Sequence, residues 1–249
     1  MNDILIEVCC GSVEDVLLSE KQGMDRAELN GALFLGGLTP SHATMQLSRE
    51  RASIPTICMI RPREGGFLYS DDEFEVMKRD LVEARAFGFE GVVFGCLDAN
   101  GDLDLPRLRE LRELAGDCET VFHRAFDVVR DPDVALEQLI EMDFTRVLTS
   151  GRRNDALEAK DTFRHLFRKA GDHIEILPCG GLRPHNLGYF LQDMPMVTQV
   201  HIGPFTDKPD PSTRHNPDIH FGGGLNMWDD RFTGVSEAIL DGFRDLRAR

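Results

Sequence analysis

The sequence predicts a single α/β domain, a (β/α)8 barrel of the TIM type, on three observations. Eight short apolar runs of strand character recur over 249 residues, helical patterns separate them, and the turn after the first run, "CCGSVED", lacks a GxGxxG signature. An open doubly wound sheet is the structural alternative, and it commonly uses fewer strands. A chain of this length suits one substantial core, so one domain is expected over 1–249.

The first run, 3–9 (DILIEVC), sets Ile4, Ile6 and Val8 on one face and Leu5, Glu7 and Cys9 on the other. A helical stretch at 12–22 leads to the second run, 25–30 (DRAELN), where Ala27 and Leu29 oppose Arg26, Glu28 and Asn30. A weakly helical segment around 40–51 precedes the third run, 55–60 (PTICMI). The helix at 71–87 is the clearest, with Phe74, Met77, Leu81, Ala84 and Phe87 at three- and four-residue spacing. Asp71 or Ser70 would cap it, and Gly88 would stop it. The alternation continues with strands at 91–95, 119–124, 145–149, 174–178 and 197–202. Helical runs at 104–115, 131–141, 154–169, 183–191 and 233–247 complete the count. Residues 203–232 read as a long loop after the eighth strand, of a length that usually marks a lid or a contact surface.

A net charge of −15 repels nucleic acid and anionic membrane surfaces, so neither is expected as a partner. The opening "MNDILIEVCC" has no basic n-region, and no stretch approaches the roughly 18 apolar residues of a membrane span. The six cysteines form no CxxC pair and sit mostly in strand-like runs, which reads as buried, reduced thiols in a cytoplasmic protein.

Barrel active sites lie at the C-terminal ends of the strands, and several polar residues fall there. Glu7, Cys9, Glu28 and Asn30 should face the interior from neighbouring strands, Arg61 and Arg63 end the third, and Gln199 and His201 share a face of the eighth. "TVFHRAFDVVRD" places His123 at the end of strand five, Arg124 on the opposite parity and Asp127 in the following turn. The bland reading is a structural set of ion pairs, such as Glu28 with Arg61, plugging the barrel, since buried charges are costly unless paired. The functional reading is a pocket in which His123, Glu28, Glu7 and Asp127 are the catalytic candidates, with His123 or a buried carboxylate as general acid or base. Two turns are candidates for holding an anion. "TSGRRND" carries Ser150 and Gly151, and "PCGGLRPHNL" carries Gly180 and Gly181 ahead of a helix. Arg61, Arg63 and His201 would join them, whereas His215 and His220 read as ordinary loop histidines.

Seven stretches together resemble the CutC family of copper-homeostasis proteins. They are "EVCCGSVED", "GMDRAELNGALFLGGLTPS", "IRPREGGFLYSDDE", "GFEGVVFGCLDANGDLD", "FHRAFDVVRDP", "RVLTSGRRNDAL" and "GGLRPHNL", in order from residue 7 to about 187. The resemblance implies a TIM-type barrel, a cytoplasmic homo-oligomer and copper(I) as the bound metal. Copper(I) prefers thiolate and thioether ligands. Cys9 keeps one family cysteine position, whereas Asn30 stands where the family commonly has a second. Cys10 has the opposite parity, Cys179 is remote in sequence, and Met59 shares a parity with Arg61. The turn after His201, "IGPF", and loop 203–232 also depart from the family pattern. Two functions are therefore carried forward: copper binding through Cys9, and an enzyme (lyase, isomerase or hydrolase) acting on a small anionic or phosphorylated molecule.

Overall fold

The computed structural model describes residues 4–216, 218–221 and 229–247. Eight parallel strands form the barrel: β1 (Leu5–Cys10), β2 (Arg26–Leu29), β3 (Thr56–Met59), β4 (Gly91–Phe94), β5 (Glu119–Phe122), β6 (Arg146–Thr149), β7 (Glu175–Pro178) and β8 (Gln199–Ile202). They pair in the order β7-β6-β5-β4-β3-β2-β1-β8. At the β7–β8 seam a side-chain bond takes the place of a backbone ladder, Gln199 Nε2 donating to Glu175 Oε2 at 2.8 Å.

The helices outside are α1 (Val13–Lys21), α2 (His42–Arg51), α3 (Asp71–Ala86), α4 (Leu105–Ala115), α5 (Pro132–Glu141), α6 (Lys160–Ala170), α7 (Pro184–Asp193) and α8 (Glu237–Arg247). On α3 the Ser70 side chain accepts from Glu73 N while the Glu73 carboxylate accepts from Ser70 N, a reciprocal cap that fixes the start. None of the described helices is long and apolar enough to cross a membrane.

Strand alternation sorts the apolar residues into two cores. Ile57, Met59, Val93, Val121, Leu148, Leu177 and Cys179 fill the lumen. Their sequence neighbours, among them Cys58, Val92, Phe94, Phe122, Val147 and Ile176, pack outward with the helices. Below the lumen core a polar layer links six strands. Arg26 is bonded to Glu7 and, at 2.8 Å, to Gln199 Oε1. Arg146 reaches Glu119 at 2.8 Å and Glu175 at 2.9 Å. Buried ions require such partners, so this layer matches the bland reading of Glu7: it closes one end of the barrel.

Two helical expectations start too early. The run from 154 opens as a 3-10 turn, Ala156–Ala159, because the Asp155 carboxylate accepts from Leu157 N; α6 begins at Lys160. The run from 233 is partly strand: β10 (Arg231–Val235) pairs antiparallel with β9 (Phe205–Pro209). The expected long loop is thus spanned by a two-stranded ribbon, and part of it, 217 and 222–228, lies outside the described residues. Buried Asp15 on α1 anchors the ribbon, its Oδ1 accepting from Val235 N at 2.8 Å while Oδ2 accepts from Gly11 N at 3.1 Å.

Candidate functional site

A cavity of about 520 Å³ opens at the C-terminal ends of the strands. Cys9, Glu28, Asn30 and His201 line it from β1, β2 and β8, and Arg61, His123 and Arg124 from the ends of β3 and β5. Parity delivers the first group. Cys9 pairs in register with Glu28, and Glu7 with His201, so a thiol, a carboxylate and an imidazole meet on three adjacent strands.

Ligand atoms of Cys9, Glu28 and His201 all lie within 4.8 Å of one another. Cys9 Sγ is 3.6 Å from Glu28 Oε2, and His201 Nε2 is 3.9 Å from that same oxygen. Asn30 Nδ2 donates to Glu28 Oε2 at 2.9 Å and to Cys9 Sγ at 3.4 Å. Beneath them Glu7 Oε1 stands 2.7 Å from His201 Nδ1. An imidazole that donates Nδ1–H to a carboxylate turns its Nε2 lone pair outward, the arrangement found behind metal-bound histidines.

The charges follow this arrangement. Burial raises the Glu7 carboxyl, but the Arg26 guanidinium and the bond from His201 outweigh it and bring the pKa down to about 2. His201 is pulled down by burial, yet Glu28 and Glu7 together lift it above the ordinary imidazole value. Glu28 is raised, by burial first and by Glu7 after it. Burial and the neighbouring Glu28 push the Cys9 thiol well up, so in the free protein it stays protonated. Glu7 is not among the cavity-lining residues; it orients His201 from below and holds Arg26.

His123 sits across the barrel, four strands from β1. It is 3% exposed, its Nδ1 accepts from Ala125 N at 3.2 Å, and Nε2 has no hydrogen-bond partner among the described residues. Burial, aided by the Arg61 charge, lowers its pKa to about 3. The neutral ring therefore carries its proton on Nε2. This suits it to donate a hydrogen bond, and gives it no free lone pair with which to act as a base near neutral pH. Phe67 packs on the ring at 4.7 Å between centroids, and a Cβ on Gly95 would come within 2.6 Å of it.

The remaining candidates divide. Asp127 lines the cavity, but Ser150 N (3.1 Å), Arg152 N (3.1 Å), Thr149 Oγ1 (2.5 Å) and Arg124 Nε (2.8 Å) all donate to its carboxylate. The "TSGRRND" turn is thus an anion nest whose anion is the chain's own Asp127. Gly151 N donates to Thr149 Oγ1, and Ser150 Oγ accepts from Arg124 Nη2 at 2.8 Å. Ser150 and Gly151 are not among the cavity-lining residues, and their backbone N–H groups are committed internally. Gly180 and Gly181 do line the cavity, although the Asp155 carboxylate lies where a Cβ on Gly181 would go, 2.7 Å away.

Arg61 lines the cavity while its terminal nitrogens donate to the carbonyls of Leu35, Gly37 and Gly65, so it pins two loops and does not pair with Glu28. Arg63 is not among the lining residues: it is bound to Glu73 and to the Glu64, Gly66 and Leu68 carbonyls. Cys179, Arg124 and Arg183 also line the cavity, although no role was assigned to them from the sequence. Cys179 has the inward parity of Leu177 at the end of β7, a signal that its sequence distance from Cys9 obscured. Arg124 reaches the cavity because the chain leaves β5 in a 3-10 turn, Arg124–Val128, where strand parity no longer applies. Arg183 enters from the N-cap of α7.

The fold and this mouth define a class: a TIM-type barrel that gathers a thiol, an imidazole and a carboxylate at its strand ends, a donor set able to hold a transition metal. The chain belongs to the CutC family, whose profile matches residues 4–204. A CutC family protein of Treponema denticola is 43% identical over 225 residues, covering 90% of this chain and 91% of that one. The human protein named copper homeostasis protein cutC homolog is 39% identical over 225 residues, covering 90% of this chain and 82% of its own. The crystal structure of CutC from Streptococcus agalactiae superposes with a TM-score of 0.76 at 32% identity, covering 80% of this chain and 98% of that one.

Proposed function

We propose that this protein serves copper homeostasis by binding Cu(I) at the barrel mouth through Cys9 and His201, with Glu28 beside them. The observation that carries the reading is the convergence of their ligand atoms within 4.8 Å, with His201 aimed by Glu7. A thiolate and an imidazole suit Cu(I), and the soft side chains of Met59 and Cys179 line the same cavity. The carboxylate is a harder donor; Glu28 is placed instead to take up the Cys9 thiol proton, 3.6 Å away, when metal displaces it. All six cysteines are unpaired, which suits a reducing compartment such as the cytoplasm.

The test is a Cu(I) competition titration against a strong chelator under reducing conditions. Wild type should bind one Cu(I), and Cys9→Ala and His201→Ala, which remove proposed ligands, should each weaken binding by about a hundredfold or more, at or beyond the roughly 10–100-fold that losing an outer-shell partner costs. Affinity unchanged by both substitutions would refute the reading.

A further inference from the structure

A bare ion leaves most of this cavity unexplained. At about 520 Å³ it has the size of a small-molecule pocket, and the Cys9 cluster occupies only the β1–β2–β8 side. Across the barrel His123, Arg124 and Arg183 present hydrogen-bond donors to the cavity, and the Asp127 carboxylate beside them is already occupied by donors of the chain. His123 presents a buried Nε2–H that has no partner among the described residues. A buried N–H without an acceptor is destabilising, so the fold bears that cost unless something enters to accept it.

Beside His123, Arg124 is held by Asp127 through Nε (2.8 Å) and by Ser150 Oγ through Nη2 (2.8 Å), which leaves Nη1 without a partner among the described residues. Asp127 is in turn saturated by the nest of Ser150 and Arg152 N–H groups, so it positions Arg124 without cancelling what Arg124 offers. Arg183 adds a second guanidinium, whose Nη1 donates to the Leu182 carbonyl at 2.9 Å. Apolar side chains, among them Leu33, Val128, Leu148 and Phe205, make up much of the rest of the lining.

We infer that the cavity binds a small organic oxyanion, a carboxylate or phosphate borne on a compact body, with its charged end on His123 Nε2 and Arg124. The neutral imidazole suits this role: it donates directionally, and its tautomer is fixed by Ala125 N. The guanidinium supplies the charge. The site is separate from the metal ligands, so it stands without copper.

The experiment is calorimetric titration of metal-free protein with malonate, with inorganic phosphate, and with malonamide as an uncharged analogue of malonate. One or both anions should bind saturably with one-to-one stoichiometry, and malonamide should not. A preference for malonate identifies a carboxylate ligand, and a preference for phosphate identifies a phosphate ester; either supports the site. Arg124→Met and His123→Phe should each weaken the anion by about tenfold, the loss of one good hydrogen bond. Arg124→Met changes a half-exposed side chain, so it remains a fair test if His123→Phe fails to fold. Binding should survive Cys9→Ser, which separates this site from the copper reading. Equal binding of malonamide, no binding of either anion at millimolar concentration, or anion affinity indifferent to Arg124→Met would overturn the inference.

Discussion

Asn30, one residue past the end of β2, reaches diagonally back to Cys9 on β1, its Nδ2 donating to Cys9 Sγ at 3.4 Å. The side chain at position 30 therefore already lies at the distance of a neighbouring ligand, but it offers an amide where a thiol would bind soft metal. Replacing it leaves room, because Gly37 is so close that a Cβ there would stand 2.4 Å from Asn30 Oδ1, and cysteine is smaller than asparagine. Asn30→Cys should raise Cu(I) affinity by about tenfold or more in competition titration, while Asn30→Ala leaves it near wild type. Equal affinities in the cysteine and alanine variants would show that position 30 is not part of the metal site.

Glu7 links the two ends of the lumen, taking Arg26 below and His201 above. Its pKa of about 2 lies below that of a free glutamate, so its ionised form stabilises the fold above about pH 4.3, and that contribution is lost as pH falls toward 2. Glu7→Gln should cost about 3–5 kcal/mol at pH 7, the usual result of stranding one member of a buried pair. Denaturant unfolding should show that the loss shrinks as pH falls from about 4.3 toward 2. A variant within about 0.5 kcal/mol of wild type at pH 7 would mean that Arg26 is satisfied by Gln199 alone.

Asp127 and the 149–153 turn hold each other. Asp127→Asn keeps size but removes the charge that Ser150 N, Arg152 N and Arg124 Nε all address. Charge-assisted bonds are worth about 1.5–3 kcal/mol each, so a stability loss of about 2 kcal/mol is expected. Amide exchange should quicken first at Ser150 and Arg152. Exchange unchanged at those two amides would show that the turn is held by Thr149 and its packing instead.

Period-two alternation made the barrel and half of its mouth legible. Glu7, Cys9, Glu28 and His201 point inward because β1, β2 and β8 are regular, and neighbouring ladders then bring them into contact. What was illegible lies where the chain leaves the ladder. Arg63 sits two residues beyond Arg61, yet the chain has by then left β3, and Arg63 turns to Glu73 on α3. Arg124 enters the cavity for the same reason. The nest around Asp127 was hidden differently: glycine and serine in a turn do signal exposed N–H groups, but nothing local says whether a ligand or a distant aspartate fills them. The β9–β10 ribbon depends on pairing across about twenty intervening residues, which no local pattern encodes.

The two histidines of the mouth should titrate apart. With a pKa near 3, His123 is neutral throughout the ordinary range, whereas Glu28 and Glu7 hold His201 above the free value. In protein labelled with 15N histidine, one cavity imidazole should keep a single neutral pattern, protonated at Nε2, from pH 8 down to about 5. His123→Phe should remove that signal. Linkage gives the stability consequence: the unfolded chain takes up a proton at this residue below about pH 6.5 and the folded chain does not, so His123 leaves stability unaffected by pH above that value and destabilises the fold by about 1.4 kcal/mol per unit as the solution is acidified below it. In His123→Phe that portion of the acid dependence between about pH 6.5 and 4 should vanish. An imidazole that instead titrates near 6.5 in the folded protein would mean water reaches Nε2, and the buried donor on which the oxyanion site rests would not exist.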